Sequence, residues 1–427
     1  MPQHRDIDPR PTSAVTGGVG FAGLFGLIAW TAFSWFQGFD GPIPAMLSVL
    51  ACGVPMLAWS LLVDRVYRAP TTGIDWDRQA QPLRETIGVS ITKLAGLWTT
   101  WGLIALFYGL GNWYWSGNYL FAMRCLTLAL PLLIVLSVPY VLWLDRRLVE
   151  PRDGAWAFGS WLTGGPPDWA RIADHLRAWA VKGFFLAFMI SVVPIGWAQV
   201  VGPGWSAVEN GPVRLIQWLI STMFLADVSF ATVGYILTMR PLDAHIRSAN
   251  PYAAGWLSAL ICYPPFMLMV DGGPLDYHRG SHDWTVWLWS WPGLEIVLGA
   301  GLIFLTFWYA WATVAFGLRF SNLTHRGILT HGPYRWTRHP AYLAKNIFWW
   351  AAGLPFFCSD GFVQGARNTA IMAIVSGVYF YRAKTEERHL MADPAYRAYA
   401  AWIDRNGLWA KLRGLVGRSS PALQPAE

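Results

Sequence analysis

Ten long apolar runs dominate this chain, and few folds are open to a polypeptide that carries them. They lie near residues 15–37, 42–63, 94–114, 119–144, 180–201, 215–239, 253–270, 293–318, 343–357 and 368–385. A helix needs about 20 mostly apolar residues to span a hydrocarbon layer. Within that layer each backbone polar group must be satisfied inside the protein. The runs therefore predict an all-α polytopic transmembrane helix bundle of about ten spans, the ninth and tenth being short. Only 13% of the residues are charged, against about 25% in soluble domains. The 28 Trp residues suit interfacial belts.

The basic residues predict the orientation. If the ten runs alternate, 28 of the 32 Lys and Arg fall in the two tails and the even-numbered loops. Arg124, Arg214, Arg279 and Arg367 alone fall on the other side. This asymmetry predicts that both termini are cytoplasmic. It also accounts for the net charge of +7 through loops facing anionic lipid, with no need of a nucleic-acid partner. The segment ahead of the first run, with Arg5 and Arg10, lacks a small-residue cleavage site, so the first run reads as an anchor. Residues 168–182 and 394–405 are amphipathic and predict helices lying on the membrane or capping the bundle. Cys52, Cys125, Cys262 and Cys358 are scattered through apolar sequence and predict buried free thiols.

Several polar or small residues inside this pattern invite a functional reading. Gly18, Gly20 and Gly23 form a literal GxGxxG, but no strand precedes it. Gly18, Ala22 and Gly26 instead give the small-residue spacing of a helix-packing face. Asp227 and Glu295 fall inside predicted spans, where an acid is costly and serves either a site or a structural pair. Asp276, His278, His282 and Asp283 crowd one outer loop, but Gly280 and the loop context argue against zinc, and no metal is expected.

The chemistry concentrates near the C-terminus. Residues 319–345 read RFSNLTHRGILTHGPYRWTRHPAYLAK, the longest polar stretch of the last third. Pro340 suits the first turn of the ninth helix. This puts Arg338 and His339 at a helix N-terminus, which favours an anion, and Tyr342 on the same face as His339. After the tenth run comes YFYRAKTEERHL, where Arg382 and Glu386 are four apart and share a face, while Glu387 turns away. The two clusters flank one helical hairpin, so they should meet. His325, His331 and His389 lie nearby without a role.

HGPYRWTRHPAY, followed by RAKTEERHL and AYRAY, resembles the isoprenylcysteine carboxyl methyltransferase (ICMT) family and its phospholipid- and thiol-methylating relatives, over roughly residues 293–412. The resemblance implies S-adenosylmethionine as methyl donor. Ile328, Leu329, Tyr334, Arg338, His339, Pro340, Tyr342, Glu386 and Glu387 would then hold the donor. Arg382 would lie toward the substrate carboxyl, so Arg382 and Glu386 are the expected catalytic pair. The expected acceptor is a membrane lipid or another lipophilic, membrane-partitioned molecule met at the cytoplasmic face. Two departures stand out. Arg326 occupies a position often His in the family, and Asp393-Pro394 stands where Phe-Gly is frequent. A sterol-reductase-like, NADPH-dependent family shares a related Arg-His-Pro-x-Tyr hairpin, but it continues into Gly-Asp where this chain has Leu343-Ala344. The third alternative is a non-enzymatic membrane protein with a degenerate domain. The expected organisation is a transmembrane region over 1–292, a catalytic domain over 293–412 and a disordered tail over 413–427.

Overall fold

A computed structural model describes residues 10–417 of the chain. The N-terminal tail with Arg5 and the tail beyond Gly417 lie outside the described residues. The fold is helical throughout: α1 Gly17–Gln37, α2 Pro42–Ala58, α3 Leu83–Leu110, α4 Tyr119–Asp145, α5 Gly154–Leu162, α6 Trp169–Val201, α7 Ser206–Glu209, α8 Pro212–Ile236, α9 Ala253–Leu260, α10 Trp284–Leu288, α11 Pro292–Val314, α12 Pro340–Gly353, α13 Phe362–Leu390, α14 Pro394–Asn406 and α15 Leu408–Gly417. A π turn, Trp59–Val63, prolongs α2. The only sheet among the described residues is a two-residue antiparallel pair, β1 Ser248–Ala249 with β2 Thr324–His325.

Seven of these helices are long and apolar enough to cross a membrane: α1, α2 with its π turn, α3, α4, α6, α8 and α11. The other three predicted spans take different forms. Residues 253–270 contain only the eight-residue α9, about 12 Å long, followed by irregular chain. That segment still runs the length of α13. The amide of Asn250 donates to the Thr385 carbonyl, Met269 and Tyr277 pack with Met372 and Val375, and Gly280 accepts from Ser359 beyond the far end. Apolarity here reflected depth in the bundle and not helix. Irregular backbone is tolerated at such depth where protein surrounds it. The ninth predicted span is the 14-residue α12, and the tenth is part of the 29-residue α13.

Other expectations are also redrawn. Residues 168–182 are not a separate surface helix but the first turns of the 33-residue α6, because nothing between Asp168 and Val201 halts the helix. Residues 394–405 do form their own helix, α14, whose Tyr396, Tyr399 and Ile403 are buried. The tail expected to start at 413 is still helical to Gly417. All four cysteines are free, but only Cys52 and Cys262 are buried.

Small residues set the closest approaches, as expected where packing and not water exclusion drives helix association. Gly18 lies under the Trp59 ring, and Gly26 meets the Ala51 carbonyl, so α1 and α2 nest along one face. Between α3 and α5, a Cβ on Gly159 would fall 1.8 Å from the Thr92 carbonyl oxygen. Gly159→Ala is therefore expected to push these helices apart at a cost of roughly 1–3 kcal/mol, read as a lower melting temperature in detergent. One apolar cluster runs from Val19, Met56, Trp197 and Phe230 through Ile328 and Tyr334 to Tyr399. It joins the N-terminal helices to the polar stretch without a break.

Candidate active site

The stretch between α11 and α12 is fixed by buried polar contacts. The Arg326 guanidinium, 3% exposed, donates to the carbonyls of Gly234 and Phe320 at 2.8 Å, Leu318 at 2.9 Å and Leu237 at 3.3 Å, and through Nε to Ala244 at 2.7 Å. Gly234 and Leu237 close α8, so Arg326 caps that helix from outside. The position that departs from the family pattern is thus a structural clamp. Arg319 reinforces it, donating to the Arg326 carbonyl and pairing with Asp243 at 2.6 Å. β1–β2 holds the middle of the stretch, and residues 11–14 cover its end. The Ala14 amide donates to the Ile328 carbonyl at 2.9 Å, and the Thr330 hydroxyl donates to the Pro11 carbonyl at 2.7 Å. Ser13 meets His331 Nδ1 at 2.8 Å. Gly327 and Gly332 take positive φ, 109° and 56°, which lets the loop turn twice.

These restraints, with the α12–α13 hairpin, enclose one cavity. Ile328, Leu329, Tyr334, Arg338, His339, Pro340, Tyr342, Arg382 and Glu386 all line it. The hairpin joins the two polar clusters as their spacing predicts. The Tyr342 hydroxyl donates to Glu386 Oε1, and Arg382 Nε lies 3.5 Å from the same oxygen. Arg382 is 1% exposed and donates to Asn322 Oδ1 at 2.6 Å. Its guanidinium faces the rings of Tyr342, Tyr263 and Tyr379 at 5.3, 5.5 and 6.0 Å, a cation–π cage. Asn322 is itself held by the Tyr235 hydroxyl of α8.

Glu387 is placed differently from the other expected residues. It lies behind the cavity wall, where its Oε1 meets His339 Nε2 at 3.0 Å and its Oε2 takes Lys384 Nζ at 2.9 Å. Arg338 approaches at 3.6 Å. Burial alone would raise its pKa, but the hydrogen bonds from His339 and Lys384 bring it down to about 2. Glu387 is therefore ionised at any working pH, and its stabilising effect is lost only as pH falls from the ordinary carboxylate range through about 2. Glu387→Gln is expected to free the His339 ring and to weaken the hold on Lys384 and Arg338, measured as a lower melting temperature in detergent.

The cavity offers unfilled hydrogen-bonding capacity. Pro340 and Ala341 line it at the start of α12, a helix that no side chain caps. Arg338 Nε and the Tyr396 hydroxyl are buried without a partner. An anion with further polar groups suits such a wall. Of the other residues singled out by the sequence, His325 and His389 also line the cavity, and the rest lie elsewhere. Asp227 lies on α8 and accepts from the hydroxyls of Tyr309, at 2.7 Å, and Thr313, both of which line the cavity. Glu295, in the first turn of α11, is buried at the opposite end of that helix. His325 pairs with Asp393 at 3.0 Å, and His389 with Ser248 at 2.9 Å. Asp271, Asp276 and His278 place ligand atoms within 4.8 Å of one another, but both Asp276 oxygens accept loop amides. His282 and Asp283 belong instead to the start of α10. Sequence reading missed Asn322, Tyr263, Tyr309, Tyr379 and Lys345. For Lys345 a signal existed, a cation inside a predicted span.

The architecture and this site define a polytopic helical membrane protein with a polar, aromatic-walled cavity at one end of its bundle. Residues 295–392 match the family model described as isoprenylcysteine carboxyl methyltransferase (ICMT) family, a family of membrane methyltransferases. The match includes every predicted site residue and spans α11 to α13. No curated protein and no solved structure matches the chain.

Proposed function

We propose that this cavity transfers a methyl group from S-adenosylmethionine to a lipophilic acceptor that reaches it from the membrane. The observation that carries the reading is the convergence of Tyr342 and Arg382 on one oxygen of Glu386, in a cavity that the uncapped start of α12 also lines. The donor would supply a methyl group activated on a sulfonium, released as the acceptor atom takes it and the sulfur becomes a neutral thioether. The first turn of α12, with Arg338 Nε and the Tyr396 hydroxyl, would hold the donor's carboxylate. Glu386 would take its ammonium or ribose. Glu387 is a positioning residue, acting through His339. Arg382, clamped by Asn322 and three tyrosines, would orient the acceptor. Because displacement needs alignment more than proton transfer, fixing both partners supplies much of the rate.

The catalytic unit in this reading is residues 293–412, completed by Tyr263 and Tyr235 from the preceding region. The predicted cytoplasmic side is the face on which the donor enters. The test is calorimetric titration of the detergent-purified full chain with S-adenosylmethionine and, separately, NADPH. Binding of the methyl donor without binding of NADPH is expected. Binding of NADPH alone would replace this reading with the reductase, and binding of neither would defeat both.

A further inference from the structure

The cations of this cavity are not equally matched. Arg338 pairs with Glu387 and Asp404, and Arg382 pairs with Glu386. Lys345 also lines the cavity, but its ammonium meets only ring faces: Tyr309 at 5.2 Å, Trp349 at 5.3 Å and Tyr379 at 5.9 Å. No carboxylate among the described residues forms an ion pair with it. Asp227 and Lys345 are close enough to interact electrostatically, but both Asp227 oxygens are engaged by the hydroxyls of Tyr309 and Thr313. Asp227 thereby fixes one wall of the aromatic box without entering it.

A half-buried ammonium gains from an opposite charge placed beside it. Aromatic faces supply part of that gain and hold the cation in place, but they leave it free to accept an anion. Lys345 stands five residues beyond Pro340, roughly 7–8 Å further along α12. This carries it past Tyr342, away from the helix start where the donor would be held. Tyr379 adjoins both cations, its ring centroid 6.0 Å from Arg382 and 5.9 Å from Lys345. Arg319, Arg338 and Arg382 are thus paired with acids and Arg326 is bound to carbonyls, whereas Lys345 is the cavity cation whose contacts are ring faces.

We propose that Lys345 selects the acceptor, pairing with a permanent anionic group of a lipophilic molecule that is distinct from the atom receiving the methyl group. The inference rests on the methyl-transfer reading, since that reading makes the ligand at this cation an acceptor. The shared chemistry is an anion, and the donor's own carboxylate is the other source of one.

The test is equilibrium binding of radiolabelled hexadecyl phosphate and hexadecanol to the full chain in neutral detergent, alongside S-adenosylhomocysteine. The wild type should bind the phosphate about tenfold or more tighter than the alcohol. Lys345→Met should bring the two within about twofold, Lys345→Arg should retain the preference, and all three proteins should bind S-adenosylhomocysteine equally. That last arm also reports that the variants are folded. A wild type without the preference, or a Lys345→Met protein that keeps it, would overturn the proposal. A Lys345→Met protein that keeps the preference but loses S-adenosylhomocysteine would give Lys345 to the donor's carboxylate. Failure of the wild type to bind S-adenosylhomocysteine defeats the methyl-transfer reading itself, whatever the lipids do.

Discussion

Glu386→Gln is expected to abolish measurable methyl transfer and to weaken S-adenosylhomocysteine binding at least a hundredfold, while Arg382→Met leaves that binding intact and cuts transfer by a similar factor. The two differ because of where each side chain points its charge. Glu386 Oε1 receives both Tyr342 and Arg382. Neutralising it removes the one acid that lines the cavity among the described residues and leaves a buried guanidinium short of its counter-charge. Stranding such a charge costs about 3–5 kcal/mol, or roughly two to four orders of magnitude in an equilibrium constant. Arg382 is held at a distance from the helix start by Asn322 and the tyrosine cage, so its loss should act on acceptor alignment. Arg382→Lys should not rescue, because a point ammonium cannot reproduce contacts to Asn322 and Glu386 together. Calorimetry and transfer of a tritiated methyl group to membrane lipid separate the two effects. Donor affinity unchanged in Glu386→Gln would remove that residue from the donor site.

The largest effect on the fold itself is expected at Arg326. Its guanidinium joins five backbone carbonyls drawn from the end of α8, the turn after α11 and the segment before β1. Burial and the neighbouring Arg319 draw its pKa down to about 9, so it remains charged at neutral pH and all its donors stay available. Arg326→Ala leaves those carbonyls without their donor in a dry interior. Buried hydrogen bonds to a charged group contribute about 1.5–3 kcal/mol each, less than additively. A loss of about 4 kcal/mol or more is expected, enough for the protein to fail to accumulate in the membrane. Arg326→His, the residue frequent in the related family, has two ring nitrogens to offer and should recover only part of the loss. The melting temperature in detergent, with expression level beside it, measures this. A melting temperature within a degree or two of wild type would show that the clamp is dispensable.

The helices that carry the N-terminal region were legible because lipid demands length and apolarity together, and both are local properties of sequence. α1, α2 and α4 begin within two residues of their predicted starts. α3 starts at Leu83 and not near 94, because its first turns, with Arg84, Glu85 and Lys93, continue beyond the apolar run. Residues 253–270 misled for the converse reason. Their apolarity was real, but Pro264 and Pro265 deny a helix two amide donors, and neighbouring helices supply the enclosure instead. At the site, Tyr342, Arg382 and Glu386 were readable because helical spacing and one hairpin fix their relations. Asn322, Tyr263 and Tyr309 come from separate segments, and nothing local announces that they will converge on Arg382 or Lys345.

The cover formed by residues 11–14 imposes an order on biosynthesis. Ser13 and His331 are 318 residues apart in the chain, yet they are hydrogen-bonded neighbours. A ribosome adding about 5–20 residues per second needs at least a quarter of a minute to cover that distance. Throughout that time the leading segment has no partner, and seven long apolar helices and the irregular segment that runs along α13, an even number of passes, must be in place before one exists. The loop that carries Ile328 and Leu329 can close against that segment only after its own synthesis. Closure also requires both to emerge on one side of the membrane, so a single misinserted helix would leave the cavity without its roof. The contact is thus open only to a chain that makes an even number of passes between the two segments.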